Sequence, residues 1–461
     1  MKKFTKIIIC LLLCVFSFSF VACDKRTDQE KGFGMPASTD HIYGNDGLAV
    51  RKGNYLYYVN GYKTVNSEEH TQEGSYTHGA LMVAKLDKNG DLVTDEKGLL
   101  DDDYYISLSS RLCGFEATNL YLAGDYLYFA TPSKENKGGD KAGTDPEWAK
   151  DYVEFYRIKL DKSSKAEKIY QAGVTYEHLE FEYYEANNDV YIVTYEKGAA
   201  IDTESSNKNA LVKVAVSSKE SSVIANNISE LKFGDEICYT IQNSSNKNYY
   251  LYSVNVGSEP VEMLSSASSI TINDVDAGKV YVTVTENSTK TLKSAVLGSQ
   301  NFADLLYISE SGYGDILIDN NIVMLVKDKT ISFVDEEQMI SSTLFIKDED
   351  ASKINVIGID NGSIVYYVDG SSDGEKIIKT VSHTNLKSNG STEIKTIATV
   401  KDFDTEYLDL DDGLLYYFKK VNSHTYLHRI DTTNVATEEE MVGVYLEADI
   451  PEEPADETPE E

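Results

Sequence analysis

Two stretches gather side chains of the kind that recognise a ligand. Between Gly61 and Gly79 stand Tyr62, Glu68, Glu69, His70, Tyr76 and His78. Between Thr131 and Tyr152 stands the chain's only tryptophan, Trp148, with Asp145, Glu147 and Tyr152. A flat apolar ring beside carboxylate acceptors suits a sugar or a peptide: the ring supplies contact area and the acceptors fix orientation. The alternative role for Trp148 is to pin its own loop to the body of the protein. Tyr62, His70, Tyr76, His78, Trp148 and Tyr152 are the candidate binding residues.

Other chemistry finds less support. Asp87-Lys88-Asn89-Gly90-Asp91 opens like a calcium loop, but Leu92 stands where that loop needs glycine and Gly98 where it needs glutamate, so a hairpin turn explains it better. His424 and His428 are four apart, a zinc spacing on a helix, but His428 reads as a strand residue, His424 as part of its entry loop, and no third ligand follows at fixed spacing. Asp101 to Asp103 and Asp409 to Asp412 read as solvated acidic turns. Sialidase boxes and quinone-dependent dehydrogenase blades each need several tryptophans, and this chain has one. There is no Gly-x-Ser-x-Gly elbow. A Ser-His-Asp set, whose members need not be neighbours in sequence, stays open. No catalytic residue, metal ligand or cofactor is assigned.

What must position the loops is a repeat. The phrase Gly53-Asn54-Tyr55-Leu56-Tyr57-Tyr58-Val59 is a turn followed by an aromatic and aliphatic run, and seven related phrases follow it. Their shared column is Tyr57, Tyr128, Tyr191, Cys238, Tyr281, Val323, Tyr366 and Tyr416, with steps of 71, 63, 47, 43, 42, 43 and 50 residues. Between His41 and about Glu447 there is no helical stripe of useful length. Alternating or β-branched runs of five to eight residues are punctuated by Asn-Gly, Asp-Gly and Asn-Asn, the pattern of short strands and tight turns. Each unit reads as four strands; unit 5, for example, as 269–273, 279–285, 292–297 and 303–308. Four strands every 40 to 50 residues is the signature of a propeller blade. A lone four-stranded meander has two apolar faces, and radial packing covers both. The fold class is therefore all-β, a β-propeller with eight blades favoured and seven the runner-up, unit 6 being the weakest copy. The tyrosine column is the predicted inter-blade packing layer. The long early steps come from expanded loops between second and third strands: 61–79, 131–152 and 197–209. Loops of this length are uncommon unless functional or disordered.

The N-terminus has an address. Lys2, Lys3 and Lys6 precede an apolar run from Ile7 to Ala22, a secretory signal excluded from the fold. Its end, Phe20-Val21-Ala22-Cys23, resembles a bacterial lipoprotein signal, which implies lipid on Cys23. Residues 1–22 are then signal, 23–40 a tether, 41–447 the propeller and 448–461 an acidic tail. An uncleaved anchor would also leave the remaining chain outside the cytoplasm. Cys10 and Cys14 leave with the signal; Cys113 and Cys238 lie in different repeats, and Cys238, in a strand column, reads as a buried inert thiol. A formal charge of −33 argues against nucleic acid and against broad contact with an anionic membrane, which leaves the lipid as the membrane contact. Few arginines beside many lysines, together with the lipobox, suggest a low-GC Gram-positive bacterium.

A family likeness follows from the strand phrases. The turn-Tyr phrase and the later strands Val83-Ala84-Lys85-Leu86-Asp87, Tyr156-Arg157-Ile158-Lys159-Leu160-Asp161 and Leu427-His428-Arg429-Ile430-Asp431 resemble uncharacterised bacterial lipoproteins. Their propeller is similar to that of low-density-lipoprotein-receptor-type proteins. The Tyr-Trp-Thr-Asp tetrapeptide of that receptor family is absent, so none of its ligand-binding residues carries over. The functional expectation is a monomeric, lipid-anchored surface propeller that binds a protein or glycan through the loops of blades 1 to 3. An extracytoplasmic hydrolase on glycan or peptide, or an envelope assembly scaffold, is the alternative.

Overall fold

The computed structural model describes residues 48–442 other than 54, 60–80, 88, 94–103, 107–119, 138–150, 161–165, 176–177, 199–208, 287–288, 309–313, 336–339, 384–392, 422–423 and 436. These residues form eight four-stranded antiparallel sheets, each made of consecutive strands in chain order. They are the blades of a β-propeller: blade 1 spans 49–106, blade 2 121–175, blade 3 179–225, blade 4 228–266, blade 5 270–308, blade 6 315–347, blade 7 355–401 and blade 8 403–441. Unit 6 is a full blade, so the count is eight rather than seven. The first strands touch one another between blades 4 and 5, 5 and 6, and 7 and 8, which places the first strands innermost around the ring.

The repeated phrase of the sequence is the hairpin between first and second strands. In blades 3, 5, 6, 7 and 8 it is a two-residue turn with both residues at positive φ: Asn187-Asn188, Ala277-Gly278, Asn320-Asn321, Asn361-Gly362 and Asp412-Gly413. Such turns match the right-handed twist of the strands they join, and asparagine, aspartate and glycine tolerate the left-handed region.

The core is divided among the gaps between blades. The described residues form eight apolar clusters, and each joins two neighbouring blades, the last joining blade 8 to blade 1. Tyr57, Cys238, Tyr281 and Tyr366 are fully buried there, as the packing-layer reading expects. The column itself needs one correction. In blades 1 to 5 and 8 its members face the following blade, but Val323 faces blade 5 and Tyr366 faces blade 6. Their structural counterparts are Met324 and Val365, each one residue away. A one-residue slip moves a strand side chain to the opposite face of the sheet.

The ring closes without exchanging a strand. Leu48 N–H donates to the Asp409 carboxylate at 2.9 Å, and Arg429 of blade 8 donates to the Gly90 carbonyl beyond blade 1's third strand at 3.2 Å. Between them lies the cluster of Leu48, Leu56, Tyr58, Tyr416, Phe418 and Val442.

Candidate functional site

The strand order decides which loops share a face. Connections from second to third strands leave every blade on the same side of the ring. In blades 4 to 8 they are short, residues 243–248, 287–288, 328–329, 370–374 and 422–423. In blades 1 to 3 they are residues 60–80, 138–150 and 197–209. Three long connections therefore join strands of adjacent blades at one face.

The second insertion is narrower than the sequence suggests. Blade 2's second strand runs Tyr126–Lys137 and its third Asp151–Lys159, so Thr131 and Tyr152 lie in a long hairpin and not in the loop. Pairing continues through Pro132 opposite Val153 to Lys137 opposite Asp151, with an irregularity between. Tyr152 is half-buried and stands across from Thr175 of the fourth strand. Tyr62, His70, Tyr76, His78, Trp148 and the lipidation candidate Cys23 lie outside the described residues, as do Cys113 and Asp101 to Asp103.

On the strands of blades 2 and 3 that lead to these connections is a polar cluster that sequence reasoning missed. Glu196, the last residue of blade 3's second strand, receives the Tyr170 hydroxyl at 3.1 Å, the Gly173 N–H at 3.2 Å and the Thr194 hydroxyl at 3.3 Å. A Cβ at residue 173 would lie 2.8 Å from a Glu196 carboxylate oxygen, so a larger residue there would push that carboxylate aside. Burial, then the Glu196 charge, raises the Tyr170 pKa, so the hydroxyl remains a donor. Next to it, Lys197 bridges Glu180, lies 5.8 Å from the Tyr195 ring centre, and gives its N–H to the His178 carbonyl at 2.8 Å. Elsewhere in blade 2, Arg157 sits 4.5 Å over the Tyr126 ring and pairs with Glu167 at 2.8 Å. Only the partners reveal these groups; no motif marks them.

The opposite face carries carboxylates with a different task. Asp235 accepts the Gly278 N–H at 2.6 Å and Asp276 the Asn321 N–H at 2.9 Å. Asp319 accepts from Ile359 and Asp360 from Gly413. With Asp409 and Leu48, each junction from blade 4 round to blade 1 has a side chain of one blade holding a backbone N–H of the next. The run Asp409 to Asp412 is thus not simply a solvated turn: its first member closes the ring. Burial, then the charges of Asp276 and Asp274, pushes Asp319 up to about 6 against the Ile359 hydrogen bond; burial also raises Asp274. Raised carboxylates in a pocket are what a hydrolase would need. Here, however, Asp319 is engaged with Ile359 N–H and Asp274 with Val275 N–H.

The remaining motifs resolve locally. The Asp87 carboxylate accepts the N–H groups of Asn89 at 2.7 Å and Asp91 at 3.1 Å, an Asx turn with Gly90 at φ +90. His424 and His428 both belong to the third strand of blade 8, His424–Asp431, which corrects the loop position expected for His424. Cys238 is a free buried thiol whose pKa burial raises. Among the described residues, no three histidine, cysteine or acidic side chains converge as metal ligands would.

No protein-family model matches the chain, and no curated protein matches it. Solved structures match at low identity. An acylaminoacyl peptidase in complex with Z-Gly-Gly-Phe-chloromethyl ketone is 12% identical with a TM-score of 0.42, over 88% of this chain and 52% of that one. The β-propeller domain of the Trilobed protease from Pyrococcus furiosus, described as having an open velcro topology, is 13% identical with a TM-score of 0.37, over 88% and 98%. A nidogen/laminin complex is 10% identical with a TM-score of 0.27, over 54% and 90%. The chain thus spans about half the length of that acylaminoacyl peptidase. The eight sheets themselves establish the propeller, and likenesses at these values say nothing of activity.

Proposed function

We propose that this protein is an extracytoplasmic, lipid-anchored binding module of the bacterial lipoprotein type. It recognises a protein or a glycan on the second-to-third-strand face of blades 1 to 3. One observation carries the reading: the three long connections fall on adjacent blades and on one face, while the other five blades close theirs tightly. A repeat scaffold tolerates insertions on its loops, and their restriction to one sector supports reading that sector as the binding surface. In this reading Tyr62, His70, Tyr76, His78 and Trp148 supply contacts, Tyr152 and the Glu196 cluster support the loops, and Cys23 carries the lipid. The net charge of −33 favours a partner that is neutral or basic. The alternatives, a hydrolase or an assembly scaffold, have no comparable observation in their favour.

The test uses the chain from Asp24 onward. Residues 60–80 and 138–150 are each replaced by a two-residue turn, and capture from envelope extracts and binding to a glycan array are compared with the parent. Loss of the captured partner with an unchanged melting temperature supports the reading. An unaltered set of partners sinks it. Palmitate labelling abolished by Cys23→Ala tests the anchor separately.

A further inference from the structure

The carboxylate clasps of the hairpin face are not all alike. In blades 5, 6 and 8 the second turn residue, Gly278, Asn321 or Gly413, has its N–H held by a carboxylate of the preceding blade: Asp235, Asp276 or Asp360. Blade 7 breaks the pattern. The Asp319 carboxylate of blade 6 goes instead to the Ile359 N–H, earlier in the first strand. The Gly362 N–H is left without a hydrogen-bond partner among the described residues. The residue before it is Asn361, an exposed carboxamide.

An asparagine followed by glycine carries its own electrophile and nucleophile. The amide nitrogen of the glycine reaches the asparagine Cγ through a small ring, and a residue without Cβ leaves that approach open. Two other turns show what restrains the reaction. Blade 6 has Asn320-Asn321: the Asn321 N–H is engaged with Asp276, and the Asn320 carboxamide donates to Asp319 at 2.9 Å and to the Ile359 carbonyl at 3.1 Å. Asn89-Gly90 is the other Asn-Gly pair among the described residues, and its Gly90 N–H donates to the Asp87 carbonyl at 3.1 Å. In blade 7 the nucleophile is free. The Asn361 carboxamide makes a 3.3 Å contact with the Asp360 carboxylate, beyond the usual hydrogen-bond range.

We propose that Asn361 is a deamidation site whose product loosens the junction between blades 7 and 8. The Gly362 nitrogen gives up its proton to solvent and bonds to Asn361 Cγ. The bond from Cγ to Nδ2 breaks, and Nδ2 takes a proton and leaves as ammonia. Water then opens the cyclic imide at one carbonyl or the other, giving aspartate or isoaspartate. One water enters, one ammonia leaves, and nothing is oxidised or reduced. The product sets a carboxylate where Nδ2 had faced Asp360, and a Cβ on Gly413 of blade 8 would lie only 3.6 Å from that Nδ2. Asp360 is the group that holds the Gly413 N–H. Two like charges there repel each other and pull on this clasp. The isoaspartyl form also adds a main-chain carbon to a two-residue turn. Both effects fall on the face opposite the long connections.

The experiment holds the chain from Asp24 onward at mildly alkaline pH and physiological temperature. Samples taken over days are digested and mapped by mass spectrometry, with fragmentation that separates aspartate from isoaspartate. In the folded protein, conversion at Asn361 is expected several-fold faster than at Asn89 or Asn320. In urea, where both glycine N–H groups are free, Asn89 should catch up with Asn361. Gly362→Asn gives blade 7 the Asn-Asn turn of blades 3 and 6, and should slow conversion at Asn361 several-fold while the melting temperature holds. Asn361→Asp, the direct product, should lower the melting temperature, and added salt should recover part of the loss. Three results would each overturn the proposal: an Asn361 amide that persists in the folded protein while the unfolded chain converts, folded Asn89 converting as fast as Asn361, or an Asn361→Asp protein that melts like the parent.

Discussion

Ala277 has φ +45 in the first hairpin of blade 5, where the equivalent turns of blades 3, 6, 7 and 8 use asparagine or aspartate. A Cβ in the left-handed region crowds the following carbonyl, so Ala277→Gly should raise stability by about 0.5–1 kcal/mol. A higher urea midpoint with an unchanged slope is the expected outcome. Asp319 gives a second residue-scale prediction. Its pKa is raised to about 6, so its charged form is disfavoured in the fold, and whatever stability it contributes below pH 4 is lost as pH rises through 6. Asp319→Asn keeps an oxygen for the Ile359 N–H and removes the repulsion from Asp274 and Asp276. It should raise the melting temperature at pH 7.5, and the gain should shrink as pH falls through about 6 and vanish only below about pH 4, where the unfolded carboxyl is protonated as well. A gain independent of pH would contradict this account. At this scale the sequence was least informative about electrostatics, because Asp276, Asp319 and Asp409 find their backbone partners 40 or more positions away, in the next blade or across the closure.

At the scale of strands and turns, the repeated phrase is a hairpin whose side chains serve two gaps at once. Tyr281 is fully buried and packs on blade 6's Val323 and Leu325. Tyr281→Ala should cost about 3–5 kcal/mol, read as a fall in urea midpoint. Strand existence was legible throughout: blade 5 is 270–276, 279–286, 289–296 and 303–308, each within a few residues of its expected span. Two things escaped. The packing face was misassigned in blades 6 and 7, where Val323 and Tyr366 match the phrase in composition but sit one residue off in register. A period of two leaves no margin for such a slip. In blade 2, the stretch from Thr131 reads as part of the expanded loop 131–152. The strand nevertheless runs through it to Lys137, since an extended hairpin needs only part of its hydrogen bonds. The candidate site was legible as uneven spacing, and the Glu196 cluster was not, because Tyr170, Gly173 and Glu196 meet only when blades 2 and 3 pack.

For the whole molecule, seven junctions join consecutive blades and one joins the two ends. The closing junction has an apolar cluster like the others, and its carboxylate bond runs from Asp409 to Leu48, the first described residue. Asp409→Ala strands the Leu48 N–H and should cost about 1–3 kcal/mol, while protease sensitivity rises first near Leu48. Uniform sensitivity around the ring would argue that the closure is no weaker than its neighbours.

That closure also has a mechanical meaning. The described chain enters at Leu48 and leaves at Val442, and both are buried in the same cluster. A pull between the two ends is therefore borne by a single seam, across Leu48–Asp409 and Arg429–Gly90, while the other seven interfaces carry no direct load. A ring threaded this way behaves as a clasp. A pull on Leu48 against Val442 would therefore open this joint before any other.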